Sequence, residues 1–259
     1  MNLNLGGKTA LITGASRGIG SEVAIRLADE GVKIIAIART KEKINALIDS
    51  IGGGGKEHYG IILDLSTPDS ISKLKNKLLE KNIFNIDIIV NNLGGTLNIV
   101  DPFCSLADWR RVFRLNFEIA IEINNMIIPA MIEKKWGRII HISSISAMEN
   151  HGPVTYCAAK AALTAYVRSF GGVVAPSGIV ISAVLPGATF TEEGYWELAL
   201  RERPDHVQKF LSERQRIGRF GKPEEIADFI CFLASDRASF GTGGIYPVDG
   251  GQGRGYFGQ

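Results

Sequence analysis

The sequence predicts an α/β fold in a single domain, with a doubly wound parallel sheet and helices on both of its faces. Short runs of apolar and β-branched residues alternate with amphipathic segments along the whole chain. This alternation is typical of parallel strands joined by crossover helices. A glycine-rich segment directly follows the first apolar run. The 259 residues contain no linker or internal repeat and are few enough for one domain.

Composition excludes several other classes of protein. Hydrophobic residues make up 45% of the chain and charged residues 22%, as in ordinary globular domains. The net charge of +2 gives no reason to expect a nucleic-acid partner. Cys104, Cys157 and Cys231 are widely spaced, which indicates neither a disulfide framework nor a metal site. The sequence shows no signal peptide and no apolar stretch near the ~20 residues of a membrane span, so we expect a cytoplasmic protein without a membrane partner.

The first strand, Thr9–Thr13, leads into a glycine loop with the spacing Gly-x-x-x-Gly-x-Gly. Glycines between a strand and a helix let the backbone approach a diphosphate, which the N-terminus of the helix then stabilises. The candidate cofactor-binding residues are Gly14, Ser16, Arg17, Gly18, Ile19 and Gly20. The loop therefore predicts a dinucleotide site, with a simple tight turn as the alternative.

The second strand, Val32–Ala38, is followed by Arg39. A fold that binds NAD usually has an acidic residue here for the ribose 2′-hydroxyl. Arg39, together with Arg17 in the glycine loop, instead favours a 2′-phosphate, because guanidinium groups bind phosphate through several donors. We therefore predict NADP (NADPH) as the cofactor. NAD is the alternative if Arg39 is only a solvated strand end.

Two further strands end in polar residues. They are Tyr59–Leu63, which precedes Asp64 and Leu65, and Ile86–Val90, which precedes the segment from Asn91 to Gly94. The glycine run Gly52–Gly55 predicts an exposed loop before the first of them. Residues 66–69 have the composition of a helix cap with proline near the first turn.

A long helix is predicted from Ser105 to about Lys134. Its first residues, Ser-x-x-Asp, resemble a capping box. Pro129 is expected to bend or interrupt the helix, because proline lacks an amide hydrogen and clashes with the preceding turn. Asn116 lies near the middle, where its helix propensity does not favour it.

Ser143, Tyr156 and Lys160 form the candidate catalytic group. Ser143 follows an apolar strand, Arg138–Ile142, and the other two residues lie four apart in a helix that begins after Pro153. Residues four apart share one helix face, where an ammonium group would lower the pKa of the tyrosine. Such a tyrosine can exchange a proton with a carbonyl or carbinol oxygen that the serine holds. A tyrosine and a lysine at this spacing could also form only a solvated helix face.

The C-terminal third continues the alternation of strands and helices. A strand at Ile179–Leu185 precedes Pro186, and residues 192–216 predict one or two short amphipathic helices. A helix from Lys222 to Leu233 and a last strand at Ile245–Val248 complete the pattern.

Together these motifs resemble those of the short-chain dehydrogenase/reductase family. The matching segments are Thr13–Gly20, Asp64-Leu65, Asn91–Gly94, Ser143 with Tyr156 and Lys160, and Pro186-Gly187 with Thr191. The resemblance covers nearly the whole chain and implies a metal-free NAD(P) oxidoreductase with a Rossmann fold. Leu93 replaces the usual alanine of the family. His141 stands where the family commonly has asparagine, and we expect it to be a hydrogen-bonded core residue.

The resemblance also implies a role for each site residue. Tyr156 is the general acid or base, Ser143 holds the substrate oxygen, Lys160 binds the ribose hydroxyls, and Asn116 holds a water that links Lys160 to solvent. Asp64 and Leu65 contact the adenine. The remaining implied cofactor contacts are Asn91, Gly94, Tyr156, Pro186, Gly187, Thr189 and Thr191.

The substrate is less clearly indicated. Segments 219–225, 232–236 and 248–251 look most like 3-oxoacyl-(acyl-carrier-protein) reductases, which implies an acyl-thioester carbonyl substrate. Ser177, however, stands where such reductases often carry an arginine for the acidic carrier. A sugar or polyol dehydrogenase with a small-molecule substrate is the alternative enzyme. A dinucleotide-sensing regulatory protein is the alternative of another class, because fold does not fix function.

Residues 192–216 follow the nicotinamide-contacting segment and predict a mobile substrate lid, with an ordinary surface helix pair as the alternative. Trp196 in the lid, and Met148 and His151 opposite it, are the further candidate substrate-binding residues. The Ser105–Lys134 helix is apolar on more than one face, which favours burial on more than one side. The resemblance implies that it pairs with its copy in a homotetramer or homodimer.

Overall fold

A computed structural model describes residues 2–52, 57–149 and 151–254 of the chain. In these ranges, seven parallel strands form one sheet in the order β3-β2-β1-β4-β5-β6-β7. The strands are β1 (Thr9–Thr13), β2 (Lys33–Ala38), β3 (Tyr59–Ile62), β4 (Ile88–Asn91), β5 (Gly137–Ile142), β6 (Ile179–Pro186) and β7 (Gly244–Val248). The helices are α1 (Gly18–Asp29), α2 (Lys41–Ser50), α3 (Ser70–Glu80), α4 (Leu106–Phe113), α5 (Ile119–Lys134), α6 (Val154–Val174), α7 (Tyr195–Glu202), α8 (Pro204–Glu213) and α9 (Pro223–Ala234). The predicted doubly wound α/β fold is confirmed.

Two apolar layers enclose the sheet. On one face, α1 and α9 pack against the strands through residues such as Val23, Leu27 and Ile230. On the other face, α3, α5 and α6 contribute residues such as Leu74 and Ile123. Because helices cover both faces, the central strands are apolar along their whole length rather than at every second residue.

The order of the strands reverses between β1 and β4. β1 pairs with β2 on one side and with β4 on the other, so the connections after these strands diverge to opposite faces of the sheet. A crevice forms where such connections part, at the carboxyl ends of the strands. The glycine loop after β1 and the asparagine segment after β4 both open into it.

The long helix departs from its predicted shape. Ser105 does cap α4, because its Oγ accepts a hydrogen bond from the Asp108 amide at 3.2 Å. Pro129 does not interrupt the helix, since α5 continues through this residue. The irregularity is instead a π-helical turn at Arg114–Glu118 that contains Asn116. The side-chain amide of Asn116 donates to the Val112 carbonyl at 2.9 Å and so takes the acceptor that a backbone amide would use in an α-helix.

By length and hydropathy alone, the continuous helical segment Leu106–Lys134 could cross a membrane, which the sequence pattern did not indicate. In the fold, Ile123 and Ile127 of this segment belong to the buried layer on the sheet. The polar side chains of Asn116 and Asn124 are also buried. The segment is therefore a core helix of the domain.

Other local predictions also change. The structure contains the helix α2, which the sequence patterns did not predict. α3 begins at Ser70 with Asp69 at its N-cap, so Pro68 lies near the first turn, as predicted. The predicted loop at Gly52–Gly55 lies, from Gly53 onward, outside the described residues. Residues 192–216 do form a pair of short helices, α7 and α8.

Candidate active site

A cavity of about 1330 Å³ lies in the crevice at the carboxyl ends of β1, β2 and β4. This volume exceeds the ~1,000 Å³ at the upper end of ordinary small-molecule pockets, as an elongated ligand requires. The predicted cofactor residues that line it are Gly14, Ser16, Arg17, Gly18, Ile19, Arg39, Asp64, Leu65, Gly94 and Thr191. Distant parts of the sequence therefore meet at one site that suits a dinucleotide.

The glycine loop has no room for side chains. A Cβ at Gly20 would lie 2.5 Å from the Gly14 carbonyl oxygen, and Gly14 and Gly18 have positive φ angles of 66° and 57°. Asn92, which the sequence analysis did not assign, donates from Nδ2 to the carbonyls of Thr13 and Gly14, each at 3.1 Å. These bonds fix the loop against β4 and keep its backbone open at the start of α1, where a diphosphate can bind.

The segment after β4 passes between the side chains of Asn116 and Lys160. Asn116 accepts a hydrogen bond from the Gly95 amide at 2.9 Å and donates one to its carbonyl at 2.8 Å. A Cβ at Gly94 would lie 2.7 Å from Asn116 Oδ1 and 2.8 Å from Lys160 Nζ. A glycine is thus required where the segment passes between these two side chains. The structure brings the predicted pair together, with Gly94 between them.

Tyr156 and Lys160 lie one turn apart on α6, as predicted. Lys160 Nζ is 5.6 Å from the centre of the Tyr156 ring and donates to the Ile142 carbonyl at 2.7 Å. Burial lowers the pKa of Lys160 to about 7 and raises the pKa of Tyr156 to about 12. The expected lowering of the tyrosine pKa by the lysine is therefore wrong for this state of the protein. Desolvation disfavours both charged forms and outweighs their mutual attraction.

Ser144, and not Ser143, is the serine beside the tyrosine. The side chain of Ser144 hydrogen-bonds with Tyr156, which offsets part of the rise in the tyrosine pKa. The Ser143 hydroxyl is buried and donates to the Lys160 carbonyl at 3.2 Å. The assignment of the substrate-facing hydroxyl to Ser143 is corrected accordingly. The sequence signal was the Ser-Ser pair itself, which offers a second hydroxyl group next to Ser143.

A buried polar network lies behind the site. Asn124 Oδ1 accepts from Asn91 Nδ2 at 3.0 Å, and Asn124 Nδ2 contacts His141 Nε2 at 3.1 Å and Tyr166 Oη at 3.2 Å. Burial and the charge of Lys160 lower the pKa of His141 to about 3. His141 is thus a neutral, hydrogen-bonded core residue, as expected. The Asn91 side chain belongs to this network and does not line the cavity.

The segment after β6 approaches the cavity only at its far end. Gly187 donates from its amide to the Val248 carbonyl at 3.1 Å, and Thr189 Oγ1 donates to the Gly187 carbonyl at 3.1 Å. Pro186, Gly187 and Thr189 do not line the cavity, whereas Thr191 lines it and packs against Gly18. These residues therefore position the segment that carries Thr191.

Three cationic side chains lie where the cavity passes the ends of β1 and β2. Arg39 is 3.9 Å from Asp64 and exposed. Arg17 and Lys43 both contact the carboxylate of Glu193, from the segment before α7. Lys43 and Glu193 were not among the predicted site residues. Lys43 lies on α2, a helix that the sequence analysis did not predict. Arg17, Arg39 and Lys43 all line the cavity.

The predicted substrate residues lie apart from the cofactor cavity. Met148 is exposed, and the His151 carbonyl accepts a hydrogen bond from Ser146 Oγ at 2.6 Å. Trp196 packs in an aromatic cluster with Phe210 and Phe220, whose ring centres lie 4.3 Å and 4.9 Å away. The cluster ties α7 and α8 to the segment before α9.

Comparison with known proteins agrees with this geometry. The sequence profile of the short chain dehydrogenase family matches residues 8–195. A 3-oxoacyl-(acyl-carrier-protein) reductase from Aquifex aeolicus is 33% identical over 97% of this chain and 99% of its own.

Two solved structures extend the comparison. L-sorbose reductase from Gluconobacter frateurii, complexed with NADPH and L-sorbose, has a TM-score of 0.89 and 28% identity over 99% of this chain and 100% of its own. A 7α-hydroxysteroid dehydrogenase complexed with NADH has a TM-score of 0.88 and 31% identity over 98% of this chain and 97% of its own. With its fold, glycine loop and Tyr156–Lys160 pair, the chain belongs to the short-chain dehydrogenase family of oxidoreductases.

Proposed function

We propose that this protein is an NADP-dependent reductase that converts a ketone to a secondary alcohol, with a 3-oxoacyl thioester as the leading substrate. The observation that carries the proposal is the Tyr156 hydroxyl beside the Ser144 hydroxyl, with Lys160 on the next turn of α6. These groups can hold and protonate one oxygen atom. The cationic cavity supports the choice of cofactor.

The residues present fit a bound dinucleotide. The glycine loop leaves its backbone amides clear, and the close approach at Gly94 keeps side chains out of the cavity floor. Arg17 and Arg39 would bind a 2′-phosphate, Asp64 and Leu65 would flank the adenine, and Lys160 would bind the ribose. The bound nicotinamide would supply the hydride. Every other step depends on the chain's own side chains.

Tyr156 has the protonation state that reduction requires. With a pKa raised to about 12 by burial, the phenol keeps its proton at neutral pH. It can therefore donate that proton to the carbonyl oxygen as negative charge develops there. Ser144 would donate a hydrogen bond to the same oxygen, as an oxyanion donor does. Asn116 is held by Gly95 and lies beside Lys160, in position to support a water that returns the proton from solvent.

The proposed chemistry is tested by Tyr156→Phe, which removes only the transferable proton. We expect turnover to fall by at least ~10²-fold, the lower range for general acid catalysis, with the Kd of NADPH unchanged. Stopped-flow turnover and fluorescence titration measure the two quantities. A phenylalanine variant that keeps more than about a tenth of the wild-type kcat would contradict the assignment.

The substrate is tested by a panel of ketones. The Aquifex aeolicus relative supports a 3-oxoacyl thioester, and the likeness to L-sorbose reductase supports a sugar or polyol as the second candidate. Turnover of acyl thioesters, ketoses and cyclic ketones is followed by NADPH absorbance. The highest kcat/KM for a thioester would support the first candidate, and the highest value for a ketose would replace it.

The cofactor is tested by Arg39→Asp. A charge-assisted hydrogen bond contributes roughly 1.5–3 kcal/mol, so its loss should shift the ratio of kcat/KM for NADPH and NADH toward NADH by ~10-fold or more. Equal kcat/KM for the two cofactors in the unmutated protein would show that no residue reads the 2′-phosphate.

We also propose that the protein is a cytoplasmic homotetramer, or a homodimer, that pairs through α5 and α6. In the protomer, Leu106 and Ile132 on the long helix are exposed, as are Val154 and Val173 on α6. Large apolar side chains on both helices favour a contact that covers them.

A further inference from the structure

Glu193 makes an unusual set of contacts at the mouth of the cavity. Its carboxylate oxygen Oε2 lies 2.6 Å from Lys43 Nζ and 3.3 Å from Arg17 Nη1. Arg17 Nη1 also donates to the Glu193 backbone carbonyl at 2.6 Å. One residue thus engages two of the three cations that line this end of the cavity.

The backbone of Glu193 is held in an unfavourable conformation. Its φ angle is +55°, in the left-handed region that residues with a side chain rarely adopt. Its amide donates to Glu197 Oε2 at 2.5 Å, which fixes the same conformation from the first turn of α7. Such a conformation persists only when surrounding contacts determine it. The contacts with Arg17 and Lys43 are therefore coupled to the position of the segment that leads into α7.

The carboxylate uses the same chemistry that a phosphate would use. Lys43 and Arg17 line the cavity together with Arg39, whose guanidinium is exposed. The hydrogen bond and charge of Lys43, with the charge of Arg17, hold the pKa of Glu193 below its usual range, so the group is an anion at neutral pH. An anion of the chain thus lies against the cations proposed to receive the anion of the cofactor.

We propose that Glu193 and Lys43 determine cofactor specificity: the Glu193 carboxylate occupies the cations of the 2′-phosphate subsite and competes with that phosphate, and Lys43 is its further cationic ligand. This inference rests on the proposed dependence on NADP. The 2′-phosphate carries more negative charge than a carboxylate and displaces Glu193 from Arg17 and Lys43. A cofactor without that phosphate leaves the contact intact.

Displacement of Glu193 also has a mechanical consequence. Once Arg17 and Lys43 bind the phosphate, Glu193 loses its contacts with both cations and keeps only its bond to Glu197 and the turn that the Gly194 amide closes on the Thr191 carbonyl at 3.0 Å. The segment from Thr191 to Gly194 can then move with the N-terminus of α7. Recognition of the phosphate at one end of the cavity thereby frees the segment that the sequence identifies as a substrate lid.

Two fragments of the cofactor test the proposal without catalysis. Adenosine 2′,5′-bisphosphate and adenosine 5′-monophosphate differ only by the 2′-phosphate, and calorimetry gives the Kd of each. The Glu193→Gln variant removes the competing charge and should bind the bisphosphate about 3- to 10-fold more tightly, in keeping with the strength of two exposed ion pairs. Its Kd for the monophosphate should change by less than about 2-fold. Glu192→Gln, the neighbouring exposed carboxylate, is the matched control.

A double-mutant cycle locates the effect at Lys43. Lys43→Met should weaken bisphosphate binding, and Glu193→Gln should gain less in the Lys43→Met background than in the unmutated protein. Hydrogen exchange is the second readout. Addition of the bisphosphate should speed exchange of the amides at residues 191–194, and addition of the monophosphate should not.

The outcomes separate this proposal from the one on which it rests. If the unmutated protein and Glu193→Gln both bind the two fragments equally, the dependence on NADP is overturned together with this inference. If the unmutated protein prefers the bisphosphate and Glu193→Gln leaves that preference unchanged, only the role of Glu193 is overturned. A loss of monophosphate affinity in Glu193→Gln would show that the carboxylate binds the cofactor ribose. That result would also overturn the proposed role of Glu193.

Discussion

The hydroxyl groups of Ser143 and Ser144, which follow the end of β5, bond to two different groups of α6. Ser143 faces the helix and bonds to the Lys160 carbonyl. Ser144 faces Tyr156 and also accepts from the Ser146 amide at 3.1 Å, which starts a short 3₁₀ turn. We therefore propose that the adjacent serines have separate roles, packing for Ser143 and proton chemistry for Ser144.

The two serines should respond differently to removal of their hydroxyl groups. Ser144→Ala is expected to lower kcat by about 10²–10³-fold, the loss typical of an oxyanion donor. Ser143→Ala should cost only about 1 kcal/mol in the free energy of unfolding, since it loses one buried hydrogen bond. Steady-state kinetics and urea unfolding of both variants check this. A larger loss of kcat in Ser143→Ala than in Ser144→Ala would restore the original assignment.

Lys160 should make the stability of the ligand-free protein depend on pH. Its pKa is lowered to about 7 in the folded protein, whereas an unfolded lysine titrates near ~10.4. Between these values the unfolded state binds more protons, so the free energy of unfolding rises with pH. Tyr156 lowers the free energy of unfolding as pH rises, but only above pH ~10, where an unfolded tyrosine ionises.

The measurement is urea unfolding between pH ~7 and ~8, below the pH of ~8.5 at which an unfolded thiol is half ionised and below the range in which Tyr156 contributes. We expect the unfolding midpoint to rise across this interval in the unmutated protein. Lys160→Met, which has no ionisable group, should show a flatter dependence. Equal slopes for the two proteins would mean that Lys160 keeps its charge when buried.

At the scale of elements, a cluster of aromatic side chains attaches the helix pair α7–α8 to the rest of the molecule. Trp196 packs against the rings of Phe210 of α8 and Phe220, and the ring centre of Phe190 lies 6.2 Å from that of Phe220. Aromatic pairs of this kind contribute ~0.5–1.5 kcal/mol beyond the area they bury. We therefore predict that the pair moves as a unit about this cluster.

Removal of the Trp196 ring should weaken the attachment of the helix pair α7–α8. Trp196→Ala is expected to raise the KM for the ketone and to leave the Kd of NADPH nearly unchanged, because the cluster lies outside the cofactor cavity. Amides of residues 195–213 should exchange faster in the variant and slower in the ternary complex of the unmutated protein. Leu200→Ala, on the exposed side of α7, is the control. Slow exchange without ligand that the ternary complex does not change would leave the pair as an ordinary surface element.

Element boundaries show what a sequence pattern can and cannot predict. The glycine loop and the Tyr156–Lys160 pair were predicted because short-range spacing determines both. The π-helical turn at Asn116 depends on bonds to Gly95, which lies 21 residues away in the chain. The contact of Arg17 with Glu193 spans 176 residues. Interactions of that range follow from the fold and leave no periodic signal.

For the whole molecule, the exposed apolar residues on α5 and α6 predict self-association. Light scattering at micromolar concentration should give a mass of two or four chains of 28.1 kDa. Ile132→Asp, which places a charge at a position 45% exposed in the protomer, should lower the mass. Phe84→Asp, at a position 62% exposed before β4, should not. A monomeric unmutated protein would contradict the proposal.

The close approach at Gly94 bears on how freely the chain can vary. Because a single methyl group there would overlap both Asn116 and Lys160, even the smallest replacement disturbs two active-site residues at once. Gly172 in α6 has no neighbour within 4 Å of a built Cβ, and alanine there gains ~1 kcal/mol of helix propensity. Mutational tolerance is therefore set at each glycine by the atoms that lie beside it: Gly172 can be replaced, whereas Gly94 cannot be replaced without cost to the proposed active site.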